Sequence, residues 1–529
     1  MTMVLRTTVA AAVMAALVVS SVATAQSALT ITSSTPAAGA MDVDRVQPLV
    51  LNFSASLNPA TVAVNWVDLL SYPNGHRSVD LAVSGPQLTL TPRIAMLPES
   101  SYTIEVRPGM RGVGGERLAQ TVQVTFTTRA ASWQGATDIA GVGRPFDPHL
   151  GSNGTTFAAV WRQENGTLAL NRYSPRTGWD QAAFLTTHLF IDRPRVFLDN
   201  ADVAHVIWEH NDGTLVSSRH TPAAGWSAIE QVPTDGMGMP RRWRGGQDTA
   251  GNIIAAWNSD TDATVNSAWA NRYVPGSGWG APVQLAGTPD GYVYDLDLAV
   301  ASNGQAVAYW RPSHSGQPRL MSRRYSPSTG WAPAEVVNTD NGSVGSVPQM
   351  AMRAGQVVAV YSSGSGIVAN THRGSGWQGP EIISRGLNGY AFWPRVAFDE
   401  GGNVFAVWIQ RGNGTTEEVW GNARSASGVW STPRRIAVST AEFADLQLTI
   451  DPKRNPLIVV KDINATSSTV LVGRYRSGAG WLVEAVESSP LQPSAVHSPR
   501  IHVDASGSAM AIWAARTNAG GHARANVFE

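Results

Sequence analysis

Pro394-Arg-Val-Ala-Phe398, Asp399-Glu-Gly-Gly-Asn403 and Val404-Phe-Ala-Val-Trp408 decide the fold. They read as strand, turn and strand. A polar loop, Arg411-Gly-Asn-Gly414, leads to a third strand, Glu418 to Ala423, and Ser427-Gly428 turns the chain into a fourth, Val429 to Ile436. Working outward, the small residue plus Trp that opens this fourth strand recurs at Trp133, Trp179, Trp226, Trp279, Trp331, Trp377, Trp430 and Trp481, at intervals of 46 to 53 residues. Four antiparallel strands repeated at that period predict the blades of a β-propeller. Helical periodicity is absent throughout.

The ends of the repeat set its phase. Ser132-Trp133-Gln-Gly-Ala-Thr-Asp-Ile139 reads as a fourth strand with no blade before it, and Pro499 to Phe528 supplies three strands and stops. Joining them predicts a ring closed by its own ends, which removes exposed sheet edges. The expectation is eight blades over residues 130–529, or seven if the irregular repeat near Pro452–Lys461 is not a blade.

Residues 26–129 differ. Short runs at Leu29–Thr32, Leu49–Phe53, Val62–Leu69, Val79–Val83, Leu88–Thr91, Tyr102–Val106 and Val122–Thr127 are spaced by Pro, Gly, Asn and Ser. They predict an antiparallel sandwich, with Asn74-Gly75 as a hairpin turn. The run Pro36-Ala-Ala-Gly39-Ala-Met-Asp-Val43, with Leu51-Asn-Phe53-Ser54, Leu88-Thr-Leu90-Thr-Pro92, Leu97-Pro98, Tyr102 and Phe126-Thr-Thr128, resembles the SbsA-type bacterial Ig-like domain. The resemblance implies an extracellular spacer or adhesion module. Gly112-Val-Gly-Gly115-Glu departs from the acidic and Gly-Asn residues often found there in the family.

The N-terminus reads as a secretory signal, residues 1–25. Arg6 precedes an apolar run from Val9 to Val19, too short to span a bilayer, and Ala23-Thr24-Ala25 fits a cleavage site. No later stretch predicts membrane insertion. Basic and acidic residues balance at 39 each, so nothing argues for nucleic acid. Lys453 and Lys461 are the only lysines, which makes arginine nearly the whole positive charge. The absence of cysteine excludes disulfides, thiolate metal sites and thiol catalysis.

Within the repeats, the Gly-Trp residues and the Arg-Tyr or Arg-His pairs of the third strands (Arg172-Tyr173, Arg219-His220, Arg272-Tyr273, Arg324-Tyr325, Arg474-Tyr475) read as architectural. A second series ends the second strands: Trp161, Trp208, Trp257, Trp310, Trp408 and Trp513, with Tyr361 and Val460 completing it. Polar loops follow these residues. They read either as inter-blade packing or as aromatic platforms for sugar rings. At the start of the innermost strands, Asp147, Arg195, Arg241, Asp297, Gln349, Arg395, Gln447 and Arg500 align as a polar collar, with Arg242 fitting nearly as well as Arg241. Such groups need partners, either one another and water or a polar ligand. Asp199, Asp399, Asp451 and Asp504 read as turn formers, and no calcium loop, metal site or cofactor motif is found.

No nucleophile elbow, metalloprotease helix or phosphate loop occurs. Sialidase-type propellers carry Ser-x-Asp-x-Gly-x-Thr-Trp turns that no repeat matches, and their arginine cluster is only loosely echoed by Arg195, Arg395 and Arg500. His149 and His502 are the only candidates for a lyase-type base. The run Ala-Val-Trp, polar loop, Gly, strand, Gly-Trp is loosely similar to fucose-binding lectin propellers, which implies pockets where Arg, an acidic or amide group and Trp meet between blades. The expectation is an exported binding or adhesion protein for glycan or another envelope ligand, without catalysis. A propeller hydrolase or lyase, or an envelope interaction scaffold, are the alternatives.

Overall fold

The structure is a computed structural model, and it describes residues 27–529 apart from 72–74, 140–142, 187–190, 211, 235–237, 261–265, 288–291, 314–318, 340–342, 346, 413–415, 465–466, 488–495 and 518–519. The expected signal sequence, residues 1–25, and Asn74 of the expected hairpin lie outside the described residues. Apart from one 3-10 turn, Pro59–Thr61, all regular structure among the described residues is β. The chain divides into two compact units. One is formed up to Ala40 and by Pro48–Arg93 and Ser101–Phe126, the other by Met41–Gln47, Ile94–Ser100 and Thr127–Glu529.

The first unit is an Ig-like sandwich of two four-stranded antiparallel sheets. One runs Ile31–Thr35, Leu49–Phe53, Gln87–Pro92, Val79–Ser84, and the other Gly75–Arg77, Val67–Ser71, Ser101–Val106, Val122–Thr127. Strict alternation explains the packing. Leu49, Leu51 and Phe53 of one strand, and Leu88 and Leu90 of its neighbour, point inward and are buried, as are Tyr102, Ile104 and Phe126 of the facing sheet. The predicted strand at Val62–Leu69 begins later, at Val67, because Asn58 caps the 3-10 turn through its side chain.

The second unit is a β-propeller of eight sheets among the described residues. We number the blades by their innermost strands: Pro145–Ser152, Ile191–Leu198, Met239–Gln247, Val293–Val300, Gln349–Arg353, Tyr390–Phe398, Glu442–Ile450 and Val496–Val503. The irregular repeat forms a regular seventh sheet with strands Pro456–Ile463, Ser468–Arg476 and Gly480–Ala485. The eighth takes its fourth strand from the start of the repeat. Thr137–Asp138 pairs with Gly520–Phe528, Trp133 bridges Phe528, and Gln134 N donates to Val527 O at 2.9 Å.

Eight apolar layers separate neighbouring sheets, and one of them joins Phe157, Trp161 and Tyr173 of blade one to Met510, Ile512 and Val527 of blade eight. Burial of these layers supplies most of the stabilisation. Side-chain amides add directional links that the sequence reading did not anticipate. Asn171, Asn271, Asn370, Asn422 and Asn526 occupy equivalent third-strand positions and each donates to a carbonyl leading out of the preceding blade, at 2.7–3.0 Å. The turn aspartates cap the first hairpins of their blades as expected. Asp199, Asp399, Asp451 and Asp504 accept backbone N–H bonds, and Asp248 does the same in blade three.

Candidate functional site

The innermost strands share a local distortion. In blades one to four and six to eight the ladder slips by one residue, a β-bulge. In all eight blades a non-glycine residue there has positive φ: Asp147, Arg193, Arg242, Asp295, Val347, Trp393, Asp445 and Ser498, between +47° and +58°. A buried Pro148, Pro194, Pro348, Pro394 or Pro499 follows in five blades, and Trp243, Leu296 or Leu446 in the others. Proline suits this place because a bulge leaves a ladder donor unneeded.

Two residues beyond each positive-φ position stands the true collar: His149, Arg195, Arg244, Asp297, Gln349, Arg395, Gln447 and Arg500. Each pairs with the residue just before the second-series position, from Val160 and Ile207 to Val459 and Ile512. Six of the eight predicted members therefore stand at the equivalent position. Asp147 and Arg241 do not. Asp147 sits on the bulge itself, two residues before His149, which holds the collar position. Arg241 lies before the bulge, exposed beside Met239, and Arg244, three residues on, takes its place. The repeat interval varies from 46 to 53 residues, so counting along the sequence does not fix which residue faces a given ladder partner.

Around the collar, Asp297 accepts from Gln349 Nε2 at 3.1 Å and faces Arg244 Nε at 3.4 Å, linking blades three to five. Arg395 and Arg500 donate to their own preceding carbonyls, Pro394 O at 2.9 Å and Pro499 O at 3.2 Å. Arg195 lies over the Trp243 ring at 5.6 Å. Among the described residues none of these three arginines forms an ion pair. Burial, and then Arg244, lowers the Arg195 pKa to about 9, and burial also lowers Arg395 and Arg500. These side chains retain some contact with solvent yet are surrounded by protein. Burial, then Arg195 and Arg500, pushes His149 well below the usual imidazole range, and burial holds His502 at about 4. Both imidazoles are neutral at pH 7.

The second tryptophan series is not a set of platforms. Trp161, Trp208, Trp257, Trp310, Trp408 and Trp513 are 0–1% exposed, sealed in the layers between blades. Their inward position beside the collar, rather than the polar loops that follow them, sets their surroundings.

The Gly-Trp residues, by contrast, are all half-buried, and Trp279 and Trp481 line clefts between neighbouring blades. Between blades two and three, Arg219 and Glu230 (3.4 Å apart), Ser217 and Ser218 meet Tyr273 and Trp279. Trp279 Nε1 reaches Ser217 Oγ at 3.4 Å, and the space left is about 10 Å³. Between blades four and five, Arg324 and Glu335 pair at 2.9 Å, and Glu335 also meets His372, which stacks edge-on against Trp377. In both cases Glu follows Arg by eleven residues. That spacing puts it diagonally across the strand pair, since Glu230 and Glu335 face Ser217 and Ser322. The spacing is legible in the sequence, but an architectural reading of the Arg-Tyr pairs does not reach it.

The equivalent cleft between blades six and seven is open. Gly421 and Ala423 replace Ser217 and Arg219, and Arg434 takes the place of Glu230. The result is a cavity of about 360 Å³, with the Tyr475–Trp481 pair on one side and Asn422, Ser431 and Arg434 on the other. That volume lies in the range of small-ligand sites. A wider hollow of about 630 Å³ lies on blade one. Phe184 is its one aromatic ring among the described residues, and its Arg144 and Glu164 satisfy each other at 3.0 Å. Among the described residues no cluster of three metal-ligating side chains occurs, and no helix is long and apolar enough to cross a membrane.

Residues 25–128 match the model of the bacterial Ig-like domain family. No curated protein matches the chain. Among solved structures, the chain is similar to the BP39L lectin of Burkholderia pseudomallei, with a TM-score of 0.43 and 14% identity over 69% of this chain and 100% of that one. It is similar to an ulvan lyase of a new polysaccharide lyase family (0.42, 10%, covering 68% and 98%). It is also similar to the six-bladed fucose-recognising lectin of Aleuria aurantia (0.32, 14%, covering 54% and 92%).

Proposed function

We propose that the protein is an exported, non-catalytic carbohydrate-binding protein that takes saccharide in the clefts between its blades, chiefly between blades six and seven. The observation that carries this reading is the 360 Å³ cavity in which an aromatic pair faces an amide, a hydroxyl and a guanidinium. A sugar ring has an apolar face that stacks on an indole and an edge of hydroxyls that needs donors and acceptors. Asn422 Nδ2 is committed to Ile383 O, and Ser431 Oγ donates to Asn422 Oδ1 at 2.7 Å. These bonds fix the polar wall before a ligand arrives, so less ordering opposes binding. Export is supported by the charged and apolar N-terminal sequence and by the Ig-like module.

The test is a glycan array on the full chain followed by calorimetry of each hit, with reducing-sugar release and unsaturated-end absorbance followed in parallel. Binding without product release is expected, and Trp481→Ala should weaken it at least about tenfold, the scale of a well-packed aromatic contact. Undiminished binding by that variant, or sustained product release, overturns the reading. One observation favours a second reading, a polysaccharide lyase: neutral His149 stands beside Arg195 and Arg500. The same burial that keeps His149 neutral weakens it as a base, which leaves binding the better account.

A further inference from the structure

We propose that the collar formed by the innermost strands is a second binding site, separate from the inter-blade clefts, which holds the carboxylate of an acidic sugar between Arg195, Arg395 and Arg500. Three observations carry it. The register places all three arginines at the equivalent strand position, each opposite the residue before its blade's second-series position. They come from blades two, six and eight, so they approach a common centre from different sides, and each acts electrostatically on at least one of the others.

Their hydrogen-bonding capacity is largely unspent. A guanidinium carries five N–H donors. Arg395 and Arg500 each direct one to a proline carbonyl, and Arg195 rests on an indole face. Elsewhere in the propeller, two enclosed arginines have carboxylate partners. Arg474 meets Asp451 at 3.1 Å and Arg524 meets Glu487 at 2.7 Å. Among the collar carboxylates, Asp297 is already engaged by Arg244 and Gln349, and Asp147 by Arg162 at 2.8 Å. Asp445 acts on Arg395 and Arg500 from beyond ion-pair distance. Bringing like charges together in an enclosed place is unfavourable unless an anion joins them, and the planar fork of arginine matches a carboxylate in two-point contact. The neutral members of the ring, Gln349, Gln447 and His149, offer donors and acceptors for hydroxyl groups beside that carboxylate. Burial lowers all three arginine pKa values, and a bound carboxylate would offset that penalty.

Calorimetric titration of the full chain with glucuronate, its methyl ester, glucose and inorganic sulfate tests this. Glucuronate should bind, and the ester and glucose should bind at least about tenfold more weakly, because only the acid can make the charged two-point contact. Arg395→Gln combined with Arg500→Gln should remove glucuronate binding. Trp481→Ala should leave it unchanged, which separates this site from the cleft. Equal binding of acid and ester, sulfate binding as tight as glucuronate, or no binding of glucuronate would each overturn the proposal. The ester comparison uses the unaltered protein and holds even if the double variant folds poorly. Loss of glucuronate binding in Trp481→Ala would assign the acid to the cleft instead.

Discussion

Two rings of tryptophan run through the propeller, and they have opposite surroundings. The ring at the ends of the second strands is sealed between blades at 0–1% exposure, while the Gly-Trp ring is half-buried, with one side in the inter-blade layer and the other in a cleft. The sequence context suggests the reverse. The sealed ring is followed by polar loops such as Glu209-His-Asn-Asp-Gly213, and the half-open ring follows tight turns such as Ser326-Pro-Ser-Thr-Gly330. The difference teaches that a side chain's radial place within the blade decides its exposure, and the chemistry of the adjacent loop does not. Near the axis, blades converge and close over any large residue. Farther out they diverge, and the same indole is left with a free face.

The comparison can be broken most forcefully where the half-open ring coincides with the chain's own seam. Deleting residues 132–139 removes Trp133, which lies 5.4 Å from Phe528, and the backbone bonds to Val527 and Glu529. If the ring closes there, the truncated chain should aggregate or lose cooperative unfolding, as read by sedimentation and calorimetry, because a sheet edge is bared. A soluble, unshifted melting transition would place closure elsewhere. Next in size, Trp310→Ala in the sealed ring should cost about 3–5 kcal/mol of stability by denaturant titration, with saccharide binding retained by the molecules still folded. The matching change in the open ring, Trp481→Ala, should cost only about 1–2 kcal/mol while losing saccharide affinity. Equal stability losses for the two would erase the distinction.

The smallest expected effect is on pH. His502 has a folded pKa of about 4 against an ordinary value of 6.5, because it is buried. Between those values the unfolded chain holds a proton there that the folded chain does not, so this residue lowers stability as pH falls from about 6.5 to 4. Asp504, raised to about 6 by burial, acts in the opposite sense over nearly the same range. His502→Gln should therefore lose less stability on acidification from pH 7 to 5 than the parent, measured as the difference in melting temperature. Identical pH dependence would show that His502 does not titrate differently on folding.

Much of the fold was legible because repetition averages out local ambiguity. The Gly-Trp period gave the blades, the unpaired strand at Ser132–Ile139 gave the phase, and alternation at Leu49–Phe53 gave the sandwich. The candidate sites were harder to read, for two physical reasons. Repeat intervals vary from 46 to 53 residues, so counting aligns Asp147 and Arg241 where hydrogen bonding aligns His149 and Arg244. A cleft between blades joins residues of adjacent repeats, such as Arg434 with Trp481. No property of either residue alone marks the pair. The eleven-residue step from Arg219 to Glu230, and from Arg324 to Glu335, is the one signal that was present and could have been used.

The eight positive-φ positions beside the collar have a consequence for how this molecule can change. A non-glycine residue at positive φ is held at a cost of about 1–3 kcal/mol, and here the positions carry Asp, Arg, Val, Trp and Ser without altering the backbone. The strain is met by the ladder on either side, so the identity of the side chain is decoupled from the fold. The rim is in effect a row of eight interchangeable letters set in a fixed frame. A single substitution there rewrites one position of the mouth and leaves the other seven, and the blades beneath them, as they were.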